Sequence, residues 1–401
     1  MEQQTSSKSK VLLIAFICVA SYCTVYVARN VLGAVTPALL SLGYSEEYVG
    51  QISSLFLVFY AFGQLINGFI GDRIKPKYMM TTGLLLAGIC NFVFPYVIDS
   101  LFVAIVVYGV SGYFLSMIYG PMTKFVSENL EQKNAVRVSI AYGFSSYVGS
   151  PLAGLLASFL IWSDTFKVSS IALITVAVMA ISMFLGAEKK FGIVYNVKRE
   201  QTGQKRSVNL LIKRDIIRFS IVAMLTGIVR TSVVFWLPTY INQRLGFSPE
   251  ESALLFTVAT AVIAPTALIV AIVFEKTGRN IYKTMTMCFS VSTVFFVCAF
   301  FFSNPVINLI CMILAIMGNN GSATMLWSMY CPSLSDTGMV STATGFLDFL
   351  SYMSAALANV IFATASITIG WGNLVLVWCA IMAVGIVVAR VKVQKTAKEK
   401  E

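Results

Sequence analysis

The sequence predicts an all-α membrane protein with twelve transmembrane helices in two pseudo-symmetric six-helix bundles. Three observations predict it. Hydrophobic residues make up 57% of the 401-residue chain and charged residues only 12%, about half the charged share usual in soluble domains. Twelve apolar runs are long enough to cross a hydrocarbon core, which takes about 20 residues. Several short motifs recur at a spacing near half the chain. With a mean hydropathy of +0.80, the chain lacks the polar surface a soluble core of this size would need. Soluble enzymes, nucleic-acid binders and disordered scaffolds are excluded.

The first six runs cover residues 11–40, 48–71, 78–97, 100–126, 136–162 and 167–187. The second six cover 215–241, 252–274, 283–302, 305–331, 341–367 and 372–391. The first run follows the short polar segment MEQQTSSKSK and is too long for a signal-peptide core, so no cleaved leader is expected. Residues 188–214 are the one charged stretch long enough to be a linker. The expected domains are therefore a bundle over 1–187, a cytoplasmic linker over 188–214 and a second bundle over 215–401.

Of the 29 Lys and Arg residues, 25 lie in the termini and in the loops after spans 2, 4, 6 and 8. Lys167 and Arg244 fall on the other side, and Arg29 and Arg230 lie inside spans. The positive-inside rule then puts both termini in the cytoplasm. The net charge of +11 is a topology signal, so no nucleic-acid partner is expected. For the basic central loop, contact with anionic membrane lipid is the weaker reading beside that one. The chain has no His, and its eight Cys lie in or at the edge of spans without ligand spacing. No metal, cofactor or catalytic constellation is expected, and each thiol reads as a small packing residue. No P-loop is present to supply ATP, so transport would be driven by gradients.

The repeated motifs divide the chain in two. Gly68-x2-Gly71-Asp72-Arg73-x-Lys75 follows span 2, and Glu275-Lys276-x-Gly278-Arg279 follows span 8. Arg29 in span 1 matches Arg230 in span 7, and Gly143-Phe144 matches Gly345-Phe346. These three pairs are 201 to 203 residues apart. Tyr119-Gly-Pro121 and Tyr330-Cys-Pro332 end spans 4 and 10. Such a duplication, with a site between the halves, is the architecture of alternating-access carriers. The acid-base loops, with Gly68, Asp72 and Arg73 in one half and Glu275 and Arg279 in the other, are read as gating motifs on the cytoplasmic side.

Three ionisable groups lie deep in spans: Arg29, Arg230 and Asp348. Each costs about 2.5–3.5 kcal/mol at a helix centre. The two arginines should face each other across the pseudo-twofold axis, where an anion between them would relieve their repulsion. Each offers a planar fork matched to phosphate or carboxylate oxygens. Asp348 reads equally as a proton-coupling carboxyl or as the salt-bridge partner of an arginine, with contact to a cationic substrate group also open. Tyr22 and Tyr26 precede Arg29 near its helical face and should line the same cavity. For Tyr60, Tyr119, Tyr352 and Trp327 taken singly, packing or interfacial anchoring is the stronger reading. Asn319-Asn320-Gly321 interrupts span 10, as a cavity lining or as a place where that helix loosens for rocking.

At these residues the chain resembles the organophosphate:phosphate antiporters of the major facilitator superfamily. The resemblance rests on Tyr22-x3-Tyr26-x2-Arg29, Pro37, Gly43-Tyr44-Ser45, Tyr60 and Gly68-x2-Gly71-Asp72-Arg73 in the first half. In the second half it rests on Arg230-x5-Trp236-x-Pro238-Thr239-Tyr240, Gly345-Phe346 and Tyr352. It implies the major facilitator fold. It also implies that Arg29 and Arg230 grip a phosphoryl group, with Tyr22, Tyr26, Tyr60 and Tyr352 around it. Uptake of an organic phosphate in exchange for inorganic phosphate would follow from rocking of the halves. Three positions depart from the family: Gln64 replaces a cavity lysine, Ser145 a histidine and Asp348 a glycine. These changes weaken the hold on a dianion and favour a monoanion, a carboxylate or a zwitterion.

The expected partner is a small anionic substrate, and function as a monomer in a bacterial inner membrane is expected. A proton-coupled organic carboxylate symporter using Asp348 is the alternative. A membrane organic-phosphate sensor ranks below it, because the short termini and linker leave no signalling domain. A multidrug exporter ranks last, because its cavity would carry acids and aromatics more often than paired arginines.

Overall fold

The computed structural model describes residues 8–71, 74–193, 195, 211–212, 214–334 and 340–390. Nearly all of them are helical. The first six helices are α1 (Lys8–Ser41), α2 (Glu46–Gly71), α3 (Pro76–Val97), α4 (Leu101–Asn129), α5 (Gln132–Phe159) and α6 (Trp162–Phe191). The second six are α7 (Ile216–Leu245), α8 (Pro249–Lys276), α9 (Ile281–Phe301), α10 (Pro305–Tyr330), α11 (Val340–Thr368) and α12 (Gly370–Arg390). Every apolar run in the sequence is one of these helices. The helices extend past several runs because their ends recruit polar residues, such as Asn304 and the Ser248–Glu251 capping box. Among the described residues, eleven helices are long and apolar enough to cross a membrane. The other, α5, has 28 residues but carries Lys133, Arg137 and five serines.

Four of the helices are irregular. α4 is broken at 116–118 and α8 at 264–265. α7 contains a π-helical segment at Ile228–Val233, and α10 contains one at Met325–Tyr330, followed by a last turn at Cys331–Ser333. Proline accounts for three of these sites, Pro265 standing within the break in α8. Pro121 has no N–H to return to the Met117 carbonyl, and Pro332 has none for Ser328, so the turn before each proline cannot close normally.

The first six helices pack among themselves through α1 with α5, α3 with α6 and α2 with α4. The last six do so through α9 with α10 and α12, and α7 with α11. The two sets meet along α2 with α11, α5 with α8 and α1 with α7. Short loops alternate the helix directions, so both ends of the described chain lie at one end of the bundle.

The closest contacts between the halves lie toward the opposite end. Ser54 Oγ donates to the Ala356 carbonyl at 2.7 Å, and Asn359 Nδ2 donates to Ser53 Oγ at 2.7 Å. Thr257 Oγ1 donates to the Pro151 carbonyl at 3.2 Å. Gln243 bridges α2 and α12: its Nε2 donates to Glu46 Oε1 at 2.7 Å, and its Oε1 accepts from Trp371 Nε1 at 2.6 Å. Small residues permit this approach. A Cβ on Gly50 would stand 2.8 Å from Ala363 Cβ, and one on Gly154 would stand 2.5 Å from Thr257 Oγ1. Toward the terminal end the packing opens, and a Cβ on Gly120, Gly143 or Gly345 would meet no atom within 4 Å.

A wedge at this seam should therefore favour its opening. Gly154→Leu forces side-chain volume against α8, and overpacking costs about 1–3 kcal/mol. In a cysteine-less background, a reporter cysteine at Ser53 should label with a membrane-impermeant maleimide about tenfold faster when Gly154→Leu is present, the shift expected from about 1.4 kcal/mol. Equal labelling rates would show that the seam absorbs the larger side chain.

Candidate functional site

Midway along the bundle, between the two halves, lies a cavity of about 140 Å³. Both in-span arginines, each partly buried, line it, Arg29 from α1 and Arg230 from α7. Helices from both halves close around them. The first half adds Tyr26 and Asn30 from α1, Ser53 from α2, Tyr108 from α4 and Tyr147 and Ser150 from α5. The second half adds Thr260 from α8, Asn320 from α10, and Tyr352 and Asn359 from α11.

The two arginines have unequal surroundings. The Arg29 guanidinium carbon lies 5.0 Å from the Tyr26 ring centroid, 4.6 Å from Tyr60 and 4.9 Å from Tyr352. Its Nη1 also donates to Tyr352 Oη at 3.0 Å. Each cation–π contact supplies on the order of 0.5–2 kcal/mol. Three of them together are comparable with the roughly 2.5–3.5 kcal/mol cost of an arginine at mid-membrane. Arg230 sits on the π-helical segment of α7 and has one aromatic neighbour, Trp327, at 5.7 Å. Among the described residues it makes no hydrogen bond and no ion pair within 4.0 Å. Asn320 Oδ1 and Trp327 Nε1 are buried and have no partner there either. This side of the cavity thus combines a cation that lacks a direct hydrogen-bond or ion-pair partner, with Asp348 acting on it only at longer range, and unused polar atoms.

Asp348 lies one helical turn before Tyr352 on the same face of α11. Arg230 and then Arg29 are the charges that act on its carboxylate. It forms no ion pair within 4.0 Å among the described residues, so the salt bridge considered from the sequence is not made. Nor does Asp348 line the cavity itself.

The other residues singled out from the sequence divide by position. Tyr26 and Tyr352 line the cavity, and Tyr60 backs it against Arg29 and Tyr352, 4.9 Å from the latter ring. Gln64 lies beside Tyr60. Tyr22 stands one turn further toward the terminal end, its ring 5.0 Å from Tyr26, 5.5 Å from Tyr119 and 5.9 Å from Tyr142. Ser145 is buried on α5 and donates to the Tyr142 carbonyl at 2.6 Å, so its hydroxyl is used within its own helix. Gly68 lies near the end of α2, whereas Asp72 and Arg73 lie outside the described residues. Glu275 and Arg279 are exposed at the end of α8, with Arg279 in the left-handed conformation at φ 56°.

Several cavity residues carry no motif of their own. Asn359 lies seven positions after Tyr352, on the same helical face, so that spacing could have found it. Asn30, Ser53, Tyr147 and Ser150 are polar residues within apolar runs, and the sequence gives no further signal for them.

The fold and this site can be set beside known proteins. The description "Major Facilitator Superfamily" belongs to the family whose pattern matches residues 18–359. The glycerol-3-phosphate transporter of Bacillus subtilis (strain 168) is 22% identical over 395 residues, covering 90% of this chain and 88% of the relative. The phosphoglycerate transporter protein of Salmonella typhimurium is 23% identical over 384 residues, covering 87% and 82%. Among solved structures, a bacterial homologue of the human lysosomal transporter Spinster, inward-facing and unoccupied, superposes with a TM-score of 0.76 at 13% identity, over 96% of this chain and 94% of that one. The nucleoside transporter NupG does so with a TM-score of 0.73 at 13% identity, over 95% and 98%. The family match spans most of the chain and agrees with the helical architecture: the protein belongs to the Major Facilitator Superfamily.

Proposed function

We propose that the chain is a secondary carrier that exchanges a small organic phosphate for inorganic phosphate by alternating access. The observation that carries this reading is the placement of Arg29 and Arg230 on one cavity between two helical halves. Two planar forks there match the oxygens of a phosphoryl group. An anion would take up the Arg230 donors, which make no hydrogen bond among the described residues. The names of the relatives, carriers of glycerol phosphate and phosphoglycerate, agree in substrate class. In this reading the halves over 1–187 and 215–401 rock about the cavity, with 188–214 between them. The acid-base loops at Asp72 and Arg73 and at Glu275 and Arg279 steady the opposite gate. The protein lies in a bacterial inner membrane with both termini in the cytoplasm. The open terminal end then faces the cytoplasm, and the seam at Gly50 and Gly154 seals the other side.

One observation favours a second reading. Asp348 is a carboxyl within a membrane span that has no ion-pair partner within 4.0 Å among the described residues, a placement suited to carrying a proton. A proton-coupled organic carboxylate symporter would use it.

Proteoliposomes loaded with unlabelled phosphate should take up labelled phosphate at equal pH on both sides. Arg29→Lys keeps the charge but loses the bidentate fork, and should cut this exchange severely. A folded protein that exchanges no phosphate would rule the antiporter out. Uptake of an organic carboxylate driven by a pH gradient, with the response lost in Asp348→Asn, would establish the symporter instead. Tyr352→Phe should bind phosphate about tenfold more weakly, because a hydrogen bond to a charged group contributes about 1.5–3 kcal/mol. Calorimetric titration of the purified variant would check this, and unchanged affinity would mean that the Arg29–Tyr352 bond does not orient the clamp.

A further inference from the structure

Between the arginines and the open terminal end lies a second group of chemically matched side chains. Asp348 stands about 6 Å along α11 from Tyr352, toward that end, at 1.5 Å per residue. Tyr26 and Tyr352 line the same cavity, and Tyr22 stands one turn from Tyr26 toward that end, just as Asp348 stands one turn from Tyr352. The Tyr119 ring belongs to a cluster with Tyr22 and Tyr142, at centroid separations of 5.5 Å (Tyr22–Tyr119), 5.9 Å (Tyr22–Tyr142) and 6.4 Å (Tyr119–Tyr142). Tyr119 is 41% exposed, so one side of the cluster is accessible. A carboxylate at the same level of the path as several tyrosine rings is the chemistry that receives an ammonium group, by direct charge pairing and by attraction to the ring faces.

The charge balance leads to the same place. With Asp348 ionised, the buried site holds two cations and one anion. A dianionic phosphate ester would leave one negative charge without a counterpart inside the membrane, which is costly. An ester that also bears an ammonium group restores neutrality. The order along the path also fits: cations deep in the cavity, carboxylate and aromatics one turn nearer the mouth. A short ester arm spans that distance.

We propose that Asp348, with the Tyr22–Tyr119–Tyr142 cluster, forms a cation subsite that makes this carrier select a zwitterionic, ammonium-bearing phosphate ester. The proposal rests on the phosphate reading above and names its substrate class. Asp348 then pairs with the substrate, and not with a transported proton.

The test compares two isosteric probes, 2-aminoethyl phosphate and n-propyl phosphate, with inorganic phosphate as reference. Binding to the purified full-length protein is measured by calorimetry. The wild type should bind the aminoethyl ester about tenfold more tightly than the propyl ester, as one favourable charge pair predicts. Asp348→Asn should reverse this order, weakening the ammonium ester and strengthening the propyl ester, which the carboxylate no longer repels. Asp348→Glu should keep the wild-type order. Equal affinities in the wild type would overturn the proposal, and they are the result expected if Asp348 takes up a proton instead. A preference that survives in Asp348→Asn would overturn it as well. If phosphate binds but shows no ammonium preference, this proposal alone fails. If neither ester nor phosphate binds, the phosphate reading fails with it.

Discussion

Two guanidinium groups at mid-membrane set the conditions that the rest of the structure must meet. Each costs about 2.5–3.5 kcal/mol at a helix centre. The protein offsets that cost for one and not for the other. Arg29 is surrounded by three tyrosine rings and hydrogen-bonded to Tyr352. Arg230 has a single ring at 5.7 Å. One arginine is thus fixed in place while the other keeps its donors free. The cavity holds one cation in a fully built shell and one in an incomplete shell.

The seam that closes one end of the cavity is held by individually modest bonds. Its direct bonds are uncharged or involve a single carboxylate: Ser54 to Ala356, Asn359 to Ser53, Thr257 to Pro151 and Gln243 to Glu46. Each uncharged bond contributes about 0.5–1.5 kcal/mol net. A buried ion pair would cost about 3–5 kcal/mol to break by loss of one partner. Small residues let the backbones approach, so van der Waals packing supplies much of the closure without locking it.

Much of this was legible in the sequence. The helices follow from run length alone, because lipid leaves the backbone no other way to satisfy its polar groups. The arginine pair follows from its separation of 201 residues. What was hidden depends on rotation and neighbours. Ser145 was expected in the cavity, but its hydroxyl bonds back to Tyr142, a local alternative always open to serine. Trp327 read as a packing residue, because nothing in α10 announces that it stands under Arg230. The π-helical segments leave no mark in an apolar run, since α and π turns of the same residues are equally hydrophobic. Asn359 carried a readable spacing from Tyr352, but polar residues at such intervals recur in any long helix.

The irregular fourth helices of the two halves bear on how the halves move. α4 breaks just before Tyr119-Gly-Pro121, and α10 takes its π turn just before Cys331-Pro332. A helix missing a hydrogen bond is softest in bending at that place. These two points are therefore soft joints on otherwise stiff helices. In the alternating-access reading proposed above, each bundle would flex at its mouth while its core stays in register, and entry of a ligand would not have to wait for whole blocks to swing.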